Sequence, residues 1–74
     1  MSIKEIKQAI NEGKKVFWHH EGYEVIRDKF NRYLIYCHMN SHCIGLHGQE
    51  GTEYENVLNG DEKAFYIAYN VNKL

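Results

Sequence analysis

The chain contains no proline and no long apolar run. With no proline among the 74 residues, no strand has to kink around a proline ring. A membrane-spanning helix needs about 20 consecutive apolar residues, and the sequence has no such stretch. The N-terminal MSIKEIKQAI also lacks the apolar segment of a signal peptide. We therefore expect one cytoplasmic domain over residues 1–74, with no membrane partner.

Basic residues are too few for a nucleic-acid-binding surface. Nine Lys and Arg stand against ten Asp and Glu, a net charge of -1, whereas binding to the phosphate backbone depends on a basic patch. We therefore expect no nucleic-acid partner, although the Tyr and Trp rings offer stacking surfaces. Acidic residues concentrate in one segment, which is either a solvated loop or a contact surface for a basic partner. The segment contains Glu50, Glu53, Glu55, Asp61 and Glu62.

Catalytic and metal-binding motifs are missing as well. The sequence has no Gly-rich phosphate loop, no H-E-x-x-H and no G-x-S-x-G. Its two cysteines fit free thiols in a reducing compartment. The spacing of its clustered Cys and His matches no common zinc pattern. That cluster consists of Cys37, His38, His42, Cys43 and His47.

A hairpin through this cluster would place His38 opposite Cys43, which raises the question of a Cys–His nucleophile. Such an enzyme also needs an orienting group, an oxyanion site and a pocket, and a chain of this size offers little room for them. We predict a protein that is not an enzyme and has no cofactor or metal. A zinc-stabilised binding module remains an alternative.

Apolar and aromatic residues are plentiful, at 43% and 14% of the chain, which indicates a packed core. Residues 2–12 read as a helix. Ser2 and Glu5 fit a capping box, and an apolar stripe at helical spacing follows. Gly13 is suited to the left-handed conformation that ends a helix. The stripe consists of Ile3, Ile6, Ala9 and Ile10.

The remainder, about residues 15–71, reads as an antiparallel sheet. Strands are predicted over 15–20, 23–27, the two arms of 33–47, a short 54–58, and 64–71. Turns are predicted at Glu21–Gly22, Asn40–Ser41 and Asn59–Gly60, and a helical turn at Asp61–Lys63. The predicted fold class is α+β, with an N-terminal helix packed on a four- to five-stranded antiparallel β-meander.

The central hairpin divides into two faces. A two-residue turn at Asn40–Ser41 would pair Met39 with His42, Cys37 with Ile44 and Ile35 with Leu46. One face, which we expect to lie under the helix together with Phe17 and Ile26, is apolar: Ile35, Cys37, Met39, Ile44 and Leu46. The other face is mixed: Leu34, Tyr36, His38, Cys43 and His47.

Protein binding is the function that these features favour, because a single helix leaves the mixed face without cover. The predicted contact residues on that face are Trp18, Tyr36, His38 and His47, and the acidic segment is a second contact. A homodimer through the mixed face is a further possibility. The alternative is an oligomeric small-ligand sponge that sequesters a nucleotide signal. Its aromatic rings would act together with Lys14, Lys15, Arg27 or Arg32.

Three stretches carry a resemblance that covers most of the chain. They are IKQAINEGKKVFW, YEVIRDKFNRYLIYC and CIGL followed by LNG and FYIA. With them the chain resembles short uncharacterised proteins of phages and mobile elements that have a helix followed by an antiparallel meander. The resemblance implies an inhibitor of host machinery, as in anti-CRISPR and other anti-defence proteins, that binds a host protein in the host cytoplasm. Some such proteins instead sequester cyclic nucleotide signals.

Overall fold

One α-helix, one 3-10 helix and five strands make up the fold of residues 1–68. The computed structural model describes residues 1–68. Its elements are α1 (Ile3–Asn11), β1 (Val16–Trp18), β2 (His20–Arg27), β3 (Tyr33–Cys37), β4 (His42–Gly45), a 3-10 helix (Glu62–Ala64) and β5 (Phe65–Ile67). All strand pairs are antiparallel, in the order β4-β3-β2-β1-β5.

This arrangement confirms the α+β class with a helix on an antiparallel meander. The strands β1 to β4 form the meander, and β5 returns to pair with the free side of β1. Residues 69–71 of the predicted last strand lie outside the described residues. None of the helices within residues 1–68 has the length and apolar character needed to cross a membrane.

The predicted capping box starts α1. The Ser2 backbone N–H donates to Glu5 Oε1 at 2.8 Å, and the Glu5 backbone N–H donates to Ser2 Oγ at 3.1 Å. The bond from the Ser2 backbone lowers the pKa of the Glu5 carboxyl. Gly13 follows the helix at φ 84°. Ile6 and Ala9 are buried, so the predicted stripe faces the sheet.

The register of the strands corrects the predicted core. Val16 pairs with Val25, and Val25 pairs with Ile35. These three side chains, and not the predicted Phe17 and Ile26, pack with the helix. Cross-strand partners share a face and neighbours along a strand alternate, so Phe17 and Ile26 point to the far side. The buried cluster is Ile6, Ala9, Val16, Val25, Ile35, Leu46 and Phe65.

The connection between β1 and β2 is shorter than predicted. Trp18 pairs directly with His20, and His19 between them has φ 67°. The register shifts between Phe17 and Trp18, because the additional residues of β2 form a bulge. The predicted turn at Glu21–Gly22 is therefore wrong, and both residues lie within β2.

The central hairpin has a four-residue loop, not the predicted two-residue turn. Cys37 pairs with His42, and Tyr36 pairs with Cys43. The Ser41 N–H donates to the Cys37 carbonyl at 2.8 Å, and Ser41 takes φ 61°. Pairing is thus displaced by two residues. Because side chains alternate with period two, the displacement keeps every paired side chain on its predicted face.

Residues 46–61 form turns and one isolated bridge. The predicted strand over 54–58 is wrong, and only a His47–Leu58 bridge forms there. Thr52 explains this, because its hydroxyl donates to the Gln49 carbonyl at 2.6 Å and accepts the Tyr54 N–H at 3.2 Å. Such local bonds compete with a strand ladder. The predicted helical turn is confirmed as a 3-10 helix that Asp61 caps.

Candidate functional site

Part of the apolar sheet face lies beyond the reach of the helix. The helix α1 packs over β1 and β2, and a helix about 10–12 Å across covers only two or three strands spaced about 4.8 Å apart. Ile44 on β4 is 52% exposed and Met39 in the β3–β4 loop is 66% exposed. The predicted burial of these two residues under the helix is therefore wrong.

A small hollow adjoins these exposed side chains. Its volume is about 140 Å³. It is lined by Trp18, Tyr23, Ile35, Cys37, Asn40, His42 and Ile44. We call these seven residues together with Met39 the turn-end patch. The floor of the patch is apolar and aromatic, whereas Asn40 and His42 are exposed at its rim, which is the arrangement found in protein interfaces.

Aromatic packing fixes the floor of the patch. The indole of Trp18 stacks on Phe65 with ring centroids 6.1 Å apart, and it forms a T-shaped pair with Tyr23 at a centroid distance of 5.1 Å. His19, in its left-handed conformation, places its ring 4.5 Å from the indole. Trp18 Nε1 is buried and has no hydrogen-bond partner among residues 1–68. Ring contacts therefore hold the indole in place.

His20 and Met39 extend the patch beside β2. The ring of His20 lies 5.0 Å from that of Tyr23, and its Nδ1 accepts the Gly22 N–H at 2.9 Å. A Cβ at Gly22 would lie 2.6 Å from His20 Cε1 and 3.1 Å from Met39 Cε. Gly22 therefore leaves the space in which both side chains lie against the strand.

The far face of the sheet has a separate polar cluster. His38 Nε2 lies 2.9 Å from Glu24 Oε1, a pair that is ionic when His38 is protonated. The His38 ring meets Tyr36 edge-on at 4.8 Å, and the Tyr36 hydroxyl donates to Ser41 Oγ at 3.3 Å. The structure thus brings the predicted contact residues Tyr36 and His38 together. Trp18 lies on the opposite, helix-covered side, so the predicted mixed surface is not continuous.

His47 borders a groove at the other end of β3 and β4. The groove has a volume of about 620 Å³. Its lining includes the cations Lys7 and Arg32, with the rings of Phe30 and Tyr33. The Lys7 ammonium lies 4.9 Å from the Tyr33 ring centroid. We call this the basic-aromatic groove.

The cations predicted for a small ligand do not converge on one place. Arg32 lines the basic-aromatic groove, where its Nε pairs with Asp28 Oδ2 at 2.8 Å. Arg27 instead donates to Asn11 Oδ1 at 2.8 Å, and Lys14 pairs with Glu12 at 3.1 Å. Of the cations predicted to bind a small ligand, the structure of residues 1–68 thus places Arg32 beside the aromatic rings of the basic-aromatic groove.

The predicted acidic contact residues spread over two turns. Glu50, Glu53 and Glu55 lie between β4 and the 3-10 helix, with Glu50 and Glu53 exposed. Asp61 accepts the Lys63 N–H at 3.0 Å, and the Met1 ammonium donates to the Glu62 carbonyl. Asp61 therefore caps the 3-10 helix, whereas Glu50 and Glu53 present exposed carboxylates between β4 and that helix.

The two thiols are free and lie on opposite faces, as the alternation predicts. Cys37 is buried in the floor of the turn-end patch, and Cys43 is exposed on the far face. The partner of Cys43 across the strands is Tyr36, so the predicted pairing of His38 with Cys43 is wrong. Residues 1–68 contain no group of three or more His, Cys, Asp or Glu placed to hold a metal ion.

Comparison of the chain with protein-family models, with curated proteins and with solved structures gives no match. The resemblance to short phage and mobile-element proteins therefore stays a prediction, and the function has to be argued from the surface of the molecule.

The sequence pattern did not reveal the turn-end patch, because Ile35 and Ile44 have the same alternation and the same residue type. One available signal was the size of the elements. A helix of nine residues is only about 14 Å long, so it is too small to cover a sheet of five strands.

Proposed function

We propose that the chain is a non-enzymatic protein-binding module whose turn-end patch receives an apolar side chain of a partner protein. The observation that supports this is the exposure of Ile44, at 52%, and of Met39, at 66%, beside a hollow of about 140 Å³ with an aromatic floor. Apolar surface of this kind, with a polar rim, marks interaction sites on small proteins.

The size of the hollow suits one anchoring side chain. An apolar cavity of about 150 Å³ accommodates a benzene-sized group, so a leucine or phenylalanine side chain fits a hollow of about 140 Å³. Full burial of such a side chain contributes about 1.5–3 kcal/mol. A binding free energy of this size is typical of a single interface hot spot.

Inhibition of a host protein by steric blocking is the more specific form of the proposal, and the resemblance to phage proteins is what suggests it. Glu50 and Glu53 supply exposed negative charge near the end of β4. They would raise the association rate with a basic partner without determining the fit in the hollow. A bacterial lysate is accordingly the material in which to seek the partner.

Site-directed photocrosslinking tests the proposal. A photoreactive phenylalanine analogue is placed at Met39, and as a matched control at Tyr66, which is 40% exposed on the far face. We expect Met39 to capture one protein that Tyr66 does not. An excess of unlabelled wild-type chain should compete the capture away, whereas an excess of Ile44→Glu should not.

Direct binding to the captured protein, once purified, gives the quantitative result. Loss of one hot spot of about 2 kcal/mol weakens binding roughly 30-fold, so we expect a change of that size for Ile44→Glu and little change for Tyr66→Glu. Equal capture from both positions, or equal competition by both chains, would remove the turn-end patch as the binding surface.

The basic-aromatic groove favours a second candidate function, binding of an anionic aromatic ligand such as a nucleotide. Its volume of about 620 Å³ lies within the range of small-molecule sites, about 300–1,000 Å³. Lys7 supplies positive charge beside the Tyr33 ring, whereas Arg32 already pairs with Asp28 and the groove lining also includes Glu50. A bound ligand raises the melting temperature by mass action.

A thermal-shift screen with nucleotides tests this candidate. We expect Lys7→Gln to abolish any shift and Lys14→Gln, which pairs with Glu12, to leave it unchanged. A flat screen with the wild-type chain would exclude the nucleotide function.

A further inference from the structure

The strand β4 forms one edge of the five-stranded sheet, and its hydrogen-bonding directions can be assigned. The Leu46 N–H donates to the Tyr33 carbonyl at 3.0 Å. Hydrogen-bonded pairs alternate along an antiparallel ladder, so Ile44 also directs its backbone toward β3. Cys43 and Gly45 direct theirs outward. The Asn59 side chain confirms this direction, because its Nδ2 donates to the Gly45 carbonyl at 2.9 Å.

The outward edge is partly covered by the chain itself. The Asn59 N–H donates to the Leu46 carbonyl at 2.8 Å, so the segment around Leu58 lies beside the end of β4. Among residues 1–68, no strand pairs with β4 on its outer side at Cys43. The accessible edge is therefore short and centred on Cys43, with backbone groups that have no partner strand.

Proline and charged side chains, two of the usual protections against strand pairing, are missing from this short edge. The strand reads HCIG, with no proline, lysine or carboxylate, whereas exposed edges are commonly protected by such residues. A two-fold contact also requires that one surface complement itself. A strand without formal charge meets this requirement, because two copies of it do not repel each other.

We propose that two copies of this chain pair their β4 strands antiparallel, about a two-fold axis at Cys43. The Cys43 backbone of each copy then donates to and accepts from the Cys43 backbone of the other. Ser41 comes opposite Gly45 of the second copy, and both residues are small. On the helix side, Ile44 comes opposite His42 of the second copy, in a non-hydrogen-bonded pair where side chains lie close.

The pairing would cover part of Ile44 and place the hollows of the two copies on either side of the axis, so the dimer would offer a partner protein one larger apolar surface. The strand has four residues, so we expect a contact smaller than the roughly 800 Å² per partner of a standard interface. We therefore expect a reversible dimer, populated at high protein concentration.

Sedimentation over a concentration series tests the dimer. The wild-type chain should change from its mass of 8.8 kDa to twice that mass as its concentration rises. Cys43→Lys places two like charges against each other at the axis and should weaken the dimer at least tenfold. Cys43→Ser, which keeps the backbone pairing, should leave the dimer intact. Circular dichroism and melting curves establish that both variants are folded.

Thiol crosslinking locates the axis. A short bismaleimide should link two wild-type chains and two Cys37→Ala chains, and should not link Cys43→Ser chains. A monomer at every concentration would overturn the proposal, as would a dimer that Cys43→Lys leaves unchanged or that the linker fails to join. None of these outcomes depends on a captured partner, so the dimer and the proposed binding function are tested separately.

Discussion

Ile35 and Ile44 provide a matched test of where the core ends. The two residues are cross-strand partners on the same face, but Ile35 is 2% exposed and Ile44 is 52% exposed. The same substitution, to alanine, should therefore have unequal effects. At Ile35 it removes buried carbons and leaves a cavity, which typically costs about 2–5 kcal/mol. At Ile44 about half of the side chain is already exposed to solvent in the folded chain, so its removal should cost less.

The cost at Ile44 follows from burial alone. Three carbons at about 0.8 kcal/mol each give about 2.4 kcal/mol for a buried side chain, and half of this is about 1 kcal/mol. Unfolding of a chain this long has an entropy of about 0.16 kcal/mol/K, so 1 kcal/mol corresponds to a shift of about 6 °C in Tm. For Ile35→Ala, about 3 kcal/mol corresponds to a shift of nearly 20 °C.

Urea unfolding at low protein concentration measures both values, with unchanged slopes showing that the unfolded states are alike. Low concentration matters because self-association through β4 would cover part of the Ile44 side chain. Equal losses for the two variants in a monomeric sample would refute the partial cover by α1, and with it the turn-end patch.

Three further predictions concern the local structure. Ser2→Ala breaks the capping box of α1 and should cost about 1 kcal/mol in urea unfolding; an unchanged midpoint would contradict the role of the cap. Gly60→Ala should destabilise the fold more than Gly13→Ala and should alter tryptophan fluorescence. Both glycines have positive φ, but only at Gly60 would the new Cβ meet a side chain, Trp18 Nε1, at 2.7 Å. Equal losses for the two would count against this packing.

The third concerns Asp28, whose pKa is lowered chiefly by the backbone bond from Arg32. A lowered pKa in the folded state adds stability that is complete above the unfolded value of about 3.9 and is lost as pH falls through the folded value. The Tm of Asp28→Asn should thus fall less steeply below pH 4 than the Tm of the wild-type chain. Parallel curves of Tm against pH for the two proteins would argue against a lowered pKa of Asp28 in the folded state.

Local signals predicted the helix and its ends well. A capping box, an apolar stripe and Gly13 all lie within one short stretch, so they needed no knowledge of the rest of the chain. The 3-10 helix after Asp61 was predicted for the same reason. Where the geometry depended on a few backbone dihedrals, the prediction was wrong. His19 and Ser41 adopt positive φ, which few non-glycine residues do and which the sequence did not indicate.

Those two positions account for most of the corrections. Positive φ at His19 lets β2 begin at once and forms a bulge, which places Val16, not Phe17, against the helix. Positive φ at Ser41 closes a four-residue loop and displaces the hairpin by two residues. The first change turns toward the core the face of β1 that was predicted to point away from it. The second keeps both faces of the hairpin, because side chains alternate with period two.

The alternation of side chains along a strand determines the face on which each side chain lies. Whether that side chain is buried depends on which element packs over the face. The predicted apolar face is therefore largely right in membership and wrong in burial, with Leu46 buried and Met39 exposed. The proposed binding site lies where side chains are on the predicted apolar face but are not buried. Some apolar side chains on the core face are not covered by any element of residues 1–68. Burial of their exposed area against a partner favours association by about 25 cal/mol per Å². Val16, Val25, Ile35, Leu46 and Phe65 on the rest of this face are already buried, so a partner gains most of that energy at the turn end of β3 and β4.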